Sequence, residues 1–346
     1  MKNIRGLVAF LVTAILLITF AFYAFQVIYT PNVLVEQESR VIVIPQEGTF
    51  KDVQNMLYEG RFVNDLVSFS FLAKLMKYDK NIKPGRYVLL PDMTNLQAIR
   101  LLRSGKREPV NITFHNIRLL KELAPKITKN LVIGADEFNA ALVQFISEND
   151  YGFNAETTIA MFLPNTYEMY YTSTAEEVIQ RMYREYDAFW NEERKAKATA
   201  LNLTPVEVST LASIVQAETI KNEEKPRVAG LYLNRLRQGI ALQADPTLKY
   251  ALGDFTIKRV LNEHKEVDSP YNTYRNAGLP PGPINMPTIG SIEAVLNYEK
   301  HEYVYMCAKE DFSGYHNFAV SYKDHLVNAR KYQRQLTIEQ QKAAGK

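Results

Sequence analysis

The chain has 346 residues, of which 47% are hydrophobic and 23% charged, a balance that excludes a disordered or fibrous protein and allows two or three domains. Its formal charge is +3 at pH 7, and without Lys2 and Arg5 of the N-terminal segment it is +1, which argues against nucleic acid as a partner. The single cysteine, Cys307, excludes an internal disulfide.

The first 30 residues form an apolar segment. Lys2 and Arg5 are followed by an uncharged run that is long enough to cross the hydrocarbon core of a bilayer. A cleavable signal peptide is the alternative, but its apolar core spans only about 7–15 residues before a small-residue cleavage site. We therefore predict a cytoplasmic tail at residues 1–4 and a retained anchor in the cytoplasmic (inner) membrane at residues 5–30. Everything after the anchor then lies outside the cytoplasm.

Residues 31–110 predict a tether followed by a small α+β module. The stretch "RVIVIPQEG" alternates as a strand, and an amphipathic helix follows between a Thr49 cap and a Gly60 stop. A second helix is predicted after an Asn64 cap, then a strand at "GRYVLL" and a further helix. The order strand, helix, helix, strand therefore occupies roughly residues 41–90.

Residues 111–337 predict a larger, mostly helical α+β domain. It opens with a strand at "PVNITFHN" and contains an aromatic turn, "FLPNTYEMYY", and one long helix over residues 173–202. A later stretch rich in turns, from "LQADPTLKYALG" to "MPTIG", is typical of an ordered binding surface. A hairpin of "EYVYMCA" and "YHNFAVS" and a final helix close the domain, and residues 338–346 are predicted to be a flexible tail.

The stretch "TPVEVSTLASIVQAET" predicts a helix with a well-defined start. Thr204 is its cap, Pro205 its first residue and Glu207 its third, which is the pattern of a capping box. Glu218 stands at the other end, on the apolar face. At 100° per residue, three apolar side chains lie within about 60° of it, namely Leu211, Ile214 and Val215. The sequence therefore directs a carboxyl group toward the core.

Metal and nucleotide chemistry is not indicated. One cysteine cannot build a thiolate site, and the stretches that match serine hydrolases, P-loops or dinucleotide folds are missing from the sequence. The five histidines also lack the spacing of a zinc site: His115, His264, His301, His316 and His325. We expect neither a metal nor a cofactor.

A carboxylic acid on an apolar face suits the cleavage of polysaccharides outside the cytoplasm. Glycosidic bonds are cut by protonating the leaving oxygen with an acid that is still protonated near neutral pH. A glutamic acid with a pKa of about 4.3 is protonated in about one of 500 molecules at pH 7, and a pKa of about 6 raises that to about one in ten. The alternative for Glu218 is a structural ion pair with Arg227 or Arg235 of the next helix.

Five blocks in one order carry a resemblance to a known family: "LASIVQAET", "VAGLYLNRL", "LQADPTLKYALG", "SPYNTY" and "GLPPGPI". They resemble the YceG-like family of membrane-anchored endolytic murein transglycosylases, and the likeness covers nearly the whole chain. It implies an α+β fold with three parts: the transmembrane anchor, a small module similar to the LysM fold of peptidoglycan binders, and a catalytic domain over residues 111–337.

The resemblance implies that Glu218 is the catalytic acid. Where the family commonly shows Glu-Lys-Glu, this chain has Gln216, Ala217 and Glu218, so that Glu218 is the only acid of the motif. In the family mechanism, one acid protonates the oxygen between N-acetylmuramic acid and N-acetylglucosamine. It then takes the proton of the muramoyl 6-hydroxyl as that oxygen attacks C1. The product is a 1,6-anhydromuramoyl end.

Further polar residues of the matching blocks are candidates for hydrogen bonds to the sugar. Asp245 before Pro246 is equally typical of a turn, and the aromatic Tyr271 either stacks on a sugar or packs against neighbouring prolines. His316 in its aromatic strand is otherwise a structural histidine. The complete set of candidate substrate-binding residues is Gln243, Asp245, Asn272, Tyr274 and His316.

Two other functions remain open on the sequence. The missing first glutamate favours a non-catalytic peptidoglycan-binding scaffold of the same fold. A hydrolytic muramidase would need a second carboxylate, such as Asp245, to activate water. In each case the partners are peptidoglycan glycan strands and the membrane, and the resemblance adds cell-wall synthases and the division or elongation machinery.

Overall fold

The structure is a computed structural model that describes residues 2–35 and 38–344. The chain divides into two units, each with its own core. The small unit comprises Met1–Asn111, Asn130–Ile133 and Glu168–Thr174. The large unit comprises Ile112–Lys129, Gly134–Tyr167 and Ala175–Lys346.

The small unit has the predicted order of strand, helix, helix and strand. The strands pair antiparallel, with Ile42 opposite Tyr87, and both side chains are buried. Asp65, and not the predicted Asn64, caps the second of the two helices, because the backbone of Asn64 is hydrogen-bonded to Asn32. Its elements are α1 (Lys2–Tyr29), β1 (Arg40–Ile44), α2 (Phe50–Glu59), α3 (Leu66–Leu75), β2 (Gly85–Leu89) and α4 (Asn95–Ser104).

Helix α1 is the N-terminal apolar helix. Its residues Ile4–Tyr29 are long and apolar enough to cross a membrane, which is consistent with a membrane anchor. Its last turns pack on the small unit, since Val27 is only 5% exposed and belongs to the core of that unit. The side-chain amide of Asn95 donates to the carbonyl of Val27 at 2.9 Å and to the hydroxyl of Ser68 at 3.1 Å. One buried amide thus joins α1, α3 and α4.

From Pro109 onward the chain is mainly helical, with two small two-stranded sheets. Strands β3 and β4 form one of them, and in the other β5 pairs antiparallel with β6, with Ala308 opposite His316. The elements are β3 (Pro109–Phe114), α5 (Leu123–Ile127), α6 (Ala135–Glu148), β4 (Asn165–Tyr170), α7 (Ala175–Phe189), α8 (Glu192–Ala200), α9 (Pro205–Glu218), α10 (Lys225–Arg237), α11 (Asp245–Leu252), α12 (Ile289–Leu296), β5 (Tyr305–Ala308), β6 (His316–Ala319) and α13 (Tyr322–Ala344).

Several sequence predictions in this region were wrong. The long helix is two helices, because Trp190 is buried after α7 and the side chain of Asn191 caps α8 by accepting from Arg194. The aromatic turn is partly the strand β4, and the turn-rich stretch includes helix α11. The flexible tail at residues 338–346 stays a prediction: helix α13 continues through Ala344, and the last two residues lie outside the described part.

Helix α9 is the centre of the large unit and packs against α10, α11 and α12. Its apolar side chains are fully buried, as its sequence pattern predicts: Val208, Leu211, Ile214 and Val215 each have 0% exposure. Burying four such side chains favours folding by roughly 6–12 kcal/mol before conformational entropy is counted. This rigid helix carries Glu218 on its last turn.

Candidate active site

The position of Glu218 follows from how α9 begins and ends. The predicted capping box is confirmed: the Thr204 hydroxyl accepts from the backbone N–H of Glu207 at 3.2 Å, and the Glu207 carboxylate accepts from the Thr204 N–H at 2.7 Å. The helix ends at Glu218, with Thr219 as an extended cap. A carboxylate there faces the partial negative charge of the helix C-terminus, which disfavours ionisation.

Glu218 lines a cavity of about 380 Å³ in the large unit, within the size range of small-ligand sites. Helices α9, α10 and α11 and the hairpin of β5 and β6 contribute its walls. Four of the five candidate substrate-binding residues line the same cavity, namely Gln243, Asp245, Tyr274 and His316. The structure thus brings together polar groups that lie almost 100 residues apart in the chain.

The Glu218 carboxyl has an unusual acidity. Its pKa is raised to about 7, mainly because burial disfavours the charged form, and the nearby negative charge of Asp245 acts in the same direction. A hydrogen bond from Tyr232 and the charges of His316 and Lys249 act in the opposite direction, but they do not outweigh burial. At a pKa of about 7, about half of the molecules hold the proton at neutral pH.

Tyr232 is a residue of the site that was not predicted from the sequence. This residue of α10 is 2% exposed, and its hydroxyl donates to Glu218 Oε1 at 2.8 Å. Burial and the neighbouring Glu218 carboxyl raise the pKa of Tyr232, so that its phenol remains a donor. In the sequence, Tyr232 stands among apolar residues of the helix that follows Glu218. That pattern predicts a core residue and gives no sign of a functional role.

The two arginines that were alternatives for pairing with Glu218 are engaged elsewhere. Arg227 pairs with Glu299 on the surface. Arg235 is 7% exposed and donates to the carbonyls of Val304, Ala241 and Leu242, so it holds the start of β5 beside the loop that precedes α11. Among the residues that the structure describes, neither arginine forms an ion pair with Glu218.

Two of the candidate substrate-binding residues are held by specific contacts. The Tyr274 hydroxyl donates to Asp245 Oδ1 at 2.5 Å, and burial followed by this hydrogen bond raises the pKa of Tyr274. Gln243 has a left-handed backbone with φ of 55°, and its side-chain oxygen accepts from Arg235 at 3.2 Å. Both residues therefore present fixed polar groups to the cavity.

Asn272 is the candidate that the structure does not bring into the cavity lining. It is completely buried, and its side-chain amide donates to the carbonyls of Lys265 and Val267 at 2.8 Å each. Its oxygen accepts from the backbone N–H of Tyr274, so it shapes the loop that carries Tyr274. Tyr271 likewise packs on a neighbouring ring, that of Tyr250, at 4.6 Å between centroids.

His316 is held by Glu224, a second residue that was not predicted from the sequence. The backbone N–H of His316 donates to Glu224 Oε1, and its Nδ1 lies 2.8 Å from Glu224 Oε2. The Glu224 side chain is only 3% exposed. Because both carboxylate oxygens engage one histidine, Glu224 fixes the orientation of the His316 ring at the cavity wall.

Gln216, which stands where the resembled family has its first glutamate, has a structural contact set. Its amide nitrogen donates to Asn285 Oδ1 and to the carbonyl of Met286. Its oxygen accepts from the backbone N–H of Thr288 at 2.7 Å and from the hydroxyl of Ser291 at 3.0 Å. The neutral amide thus donates to two acceptors and accepts from two donors. A carboxylate at the same position could only accept hydrogen bonds.

A second cavity, of about 510 Å³, adjoins the first through neighbouring residues in the chain. Ala217 and Pro246 line it, and they are the chain neighbours of Glu218 and Asp245. Arg118 and Lys249 give it positive charge. Space is therefore available beside the chain neighbours of Glu218 and Asp245 as well as around these two residues themselves.

Metal-binding groups are not clustered in the described ranges 2–35 and 38–344, where no set of three or more His, Cys, Asp or Glu side chains has the geometry for an ion.

The fold and the site together define an α+β protein with an apolar N-terminal helix and a half-buried acid in a polar cavity. The sequence model of the YceG-like family matches residues 42–331. Since that is most of the chain, the protein belongs to the YceG-like family, as the resemblance of its sequence blocks predicted.

Two named relatives and one solved structure illustrate the likeness. The endolytic murein transglycosylase of Bacillus subtilis (strain 168) is 28% identical, over 86% of this chain and 87% of that protein. The endolytic murein transglycosylase of Streptococcus pneumoniae (strain R6) is 26% identical over 94% of this chain, which spans only 64% of that longer protein. A crystal structure of a yceG-like protein from Listeria monocytogenes matches with a TM-score of 0.51 and 28% identity, covering 83% of this chain and 98% of that one.

Proposed function

We propose that the protein is a membrane-anchored endolytic murein transglycosylase. It cleaves the bond between N-acetylmuramic acid and N-acetylglucosamine inside nascent glycan strands and so terminates their elongation. The observation that carries this proposal is the Glu218 carboxyl, which lies in a polar cavity with a pKa of about 7. The names of the relatives from Bacillus subtilis and Streptococcus pneumoniae support the substrate class.

Glu218 acts first as an acid and then as a base. Protonated Glu218 gives its proton to the bridging oxygen while the bond between C1 and that oxygen breaks, and the oxygen keeps the electron pair. The Glu218 carboxylate then accepts the proton of the muramoyl 6-hydroxyl, whose oxygen forms the new bond to C1. No water is consumed, and Glu218 ends protonated as it began. The tethered hydroxyl outcompetes solvent because its effective concentration is about 10⁵ M or more.

The polar groups of the cavity hold the sugar. In this proposal Gln243, Tyr274 and His316 hydrogen-bond hydroxyl or acetamido groups of the sugar, which is supported by their position in the cavity lining, and Asp245 holds the phenol of Tyr274. Asn272 acts indirectly, through the loop that carries Tyr274. The adjoining cavity gives room for glycan beyond the cut, which internal cleavage of a strand requires.

The anchor and the small unit serve localisation. Lys2 and Arg5 favour a cytoplasmic N-terminus, which puts the catalytic domain on the outer side of the cytoplasmic membrane. The small unit is proposed to be a LysM-like module that contacts glycan. Tethering restricts cutting to strands near the membrane and raises their local concentration, so cell-wall synthases and the division or elongation machinery are proposed partners.

A hydrolytic muramidase is the second candidate, because a second carboxylate, Asp245, lines the same cavity as Glu218. The test is to incubate the purified full-length protein with uncrosslinked glycan polymer and to weigh the products by mass spectrometry. A transglycosylase releases anhydro ends, and a muramidase releases ends that are heavier by one water molecule. Binding to the polymer with no cleavage product would contradict both and identify a scaffold.

A further inference from the structure

Helix α3 exposes three large apolar side chains in one row. Val67, Phe71 and Leu75 are 74%, 59% and 68% exposed. Their spacing of four residues places them on one face of the helix, over a length of about 12 Å. Scattered apolar residues are normal on a protein surface, but a contiguous row indicates a surface that meets something apolar.

The exposed row is not the side of α3 that packs in the core. The opposite side of α3 is buried in the small unit, where Phe69, Leu72 and Ala73 have at most 4% exposure. Asp65 caps the helix by accepting from backbone N–H groups, so the start of α3 does not depend on the three exposed side chains. The three exposed side chains are therefore accessible for binding.

The row lies beside the end of α1. Asn95 donates to the carbonyl of Val27 on α1 and to the hydroxyl of Ser68 on α3, so the last turns of α1 and the first turn of α3 are one side chain apart. Ser68 is the chain neighbour of Val67, where the row begins. The row therefore begins near the end of the helix that is long and apolar enough to span a membrane.

We propose that the face of α3 formed by Val67, Phe71 and Leu75 inserts into the interface of the membrane that α1 spans. Its occupant is the lipid surface on the side where α1 ends. Lys74 and Lys77, both exposed beside the row, suit the headgroup layer, where basic side chains meet anionic lipid. The inference rests on the proposed anchor and adds that the small unit lies against the bilayer and does not swing freely on its tether.

A fluorescent label reports this insertion in the full-length protein. In a Cys307→Ser background, Phe71→Cys carries an NBD label, and the protein is placed in nanodiscs of phosphatidylglycerol and phosphatidylcholine that contain lipid spin-labelled near the headgroup. Quenching of about twofold or more is expected at position 71. The matched control is Val143→Cys on α6, another exposed apolar position on a helix, with 66% exposure. Phe25→Cys on α1 reports the anchor itself.

The three positions separate the possible failures. Quenching at 71 and 25 without quenching at 143 supports the proposal, and labels at 67 and 75 are then expected to agree. Quenching at 25 without quenching at 71, or equal quenching at 71 and 143, overturns the α3 proposal and leaves the anchor standing. A lack of quenching at 25 overturns the anchor and this inference together. Thermal unfolding of each labelled protein verifies its fold.

Discussion

The hydroxyl of Tyr232 on α10 donates a 2.8 Å hydrogen bond to the carboxyl of Glu218 at the end of α9. This bond joins two buried helices at the wall of the cavity and directs the acid into it. It also stabilises the ionised form, and so limits how far burial raises the pKa of Glu218. The cavity therefore contains an acid that both holds and releases a proton near pH 7.

Tyr232→Phe is expected to move the activity of the protein to higher pH. Without the hydroxyl, the pKa of Glu218 rises further above about 7, so the loss of kcat/KM with rising pH shifts upward by about one pH unit. The pH profile of anhydro-end formation measures this. Tyr298→Phe, which removes a surface hydroxyl bonded to Arg237, is the control and should leave the profile unchanged. A downward shift for Tyr232→Phe would contradict the assignment.

Asp245→Asn is expected to move the same profile in the opposite direction. Removing the negative charge lowers the pKa of Glu218, so activity declines at a lower pH than in the native protein. The amide oxygen of the substituted side chain still accepts from Tyr274, which preserves the loop. The products should remain anhydro-ended, as mass spectrometry will show. If cleavage is lost by about a hundredfold or more and native products carry added water, Asp245 is the base of a hydrolase.

Glu224→Gln tests whether the orientation of His316 matters for turnover. The variant loses the charged partner of the ring, and we expect kcat to fall about tenfold to a hundredfold while the fold is kept. Glu223→Gln, at the preceding position, is a matched control because the Glu223 carboxylate accepts from the Tyr315 hydroxyl at the exposed surface. Equal rates for the two variants would show that His316 needs no such support.

Gln216→Glu tests whether Gln216 is structural. A carboxylate cannot donate to Asn285 and Met286, so the free energy of unfolding should fall by about 1–3 kcal/mol. The carbonyl oxygen of Met286 disfavours the ionised form of the new carboxyl, so the pKa of that carboxyl is raised in the folded protein. The loss of stability therefore grows as the pH rises through this raised pKa. Chemical denaturation at pH 5 and pH 8 measures this, with the exposed Gln333→Glu as control. If the free energy of unfolding of Gln216→Glu equals that of the native protein at both pH values, Gln216 has no such structural role.

Much of the acid's setting was predictable from local sequence. The capping box of α9 involves residues three positions apart, and its buried face follows a helical period, so both were visible in the chain. The position of Glu218 on that face indicated a carboxyl with restricted access to water. The strand order of the small unit was predictable for the same reason.

The hydrogen-bond partners of Glu218 and His316 were not predictable, because each lies on a different element of the chain and only the fold brings them together. Tyr232 lies 14 positions from Glu218, and Glu224 lies 92 positions from His316. Asn272 was a candidate on its motif alone, and only the fold shows that its amide is consumed by its own loop. The break between α7 and α8 depends on burial of Trp190, which outweighs the helical preference of the charged sequence around it.

The central claim is that Glu218 carries the proton to the glycosidic oxygen. The most direct test is the rate of anhydro-end formation by Glu218→Gln, with binding to the glycan polymer measured in parallel. A raised pKa weakens the native protein as the pH rises through about 7, since the unfolded chain ionises first. The uncharged glutamine should therefore be no less stable than the native acid at pH 8. We predict a rate lower by about 10² to 10⁴ with binding retained. A variant that keeps more than about a tenth of the native rate would contradict the account.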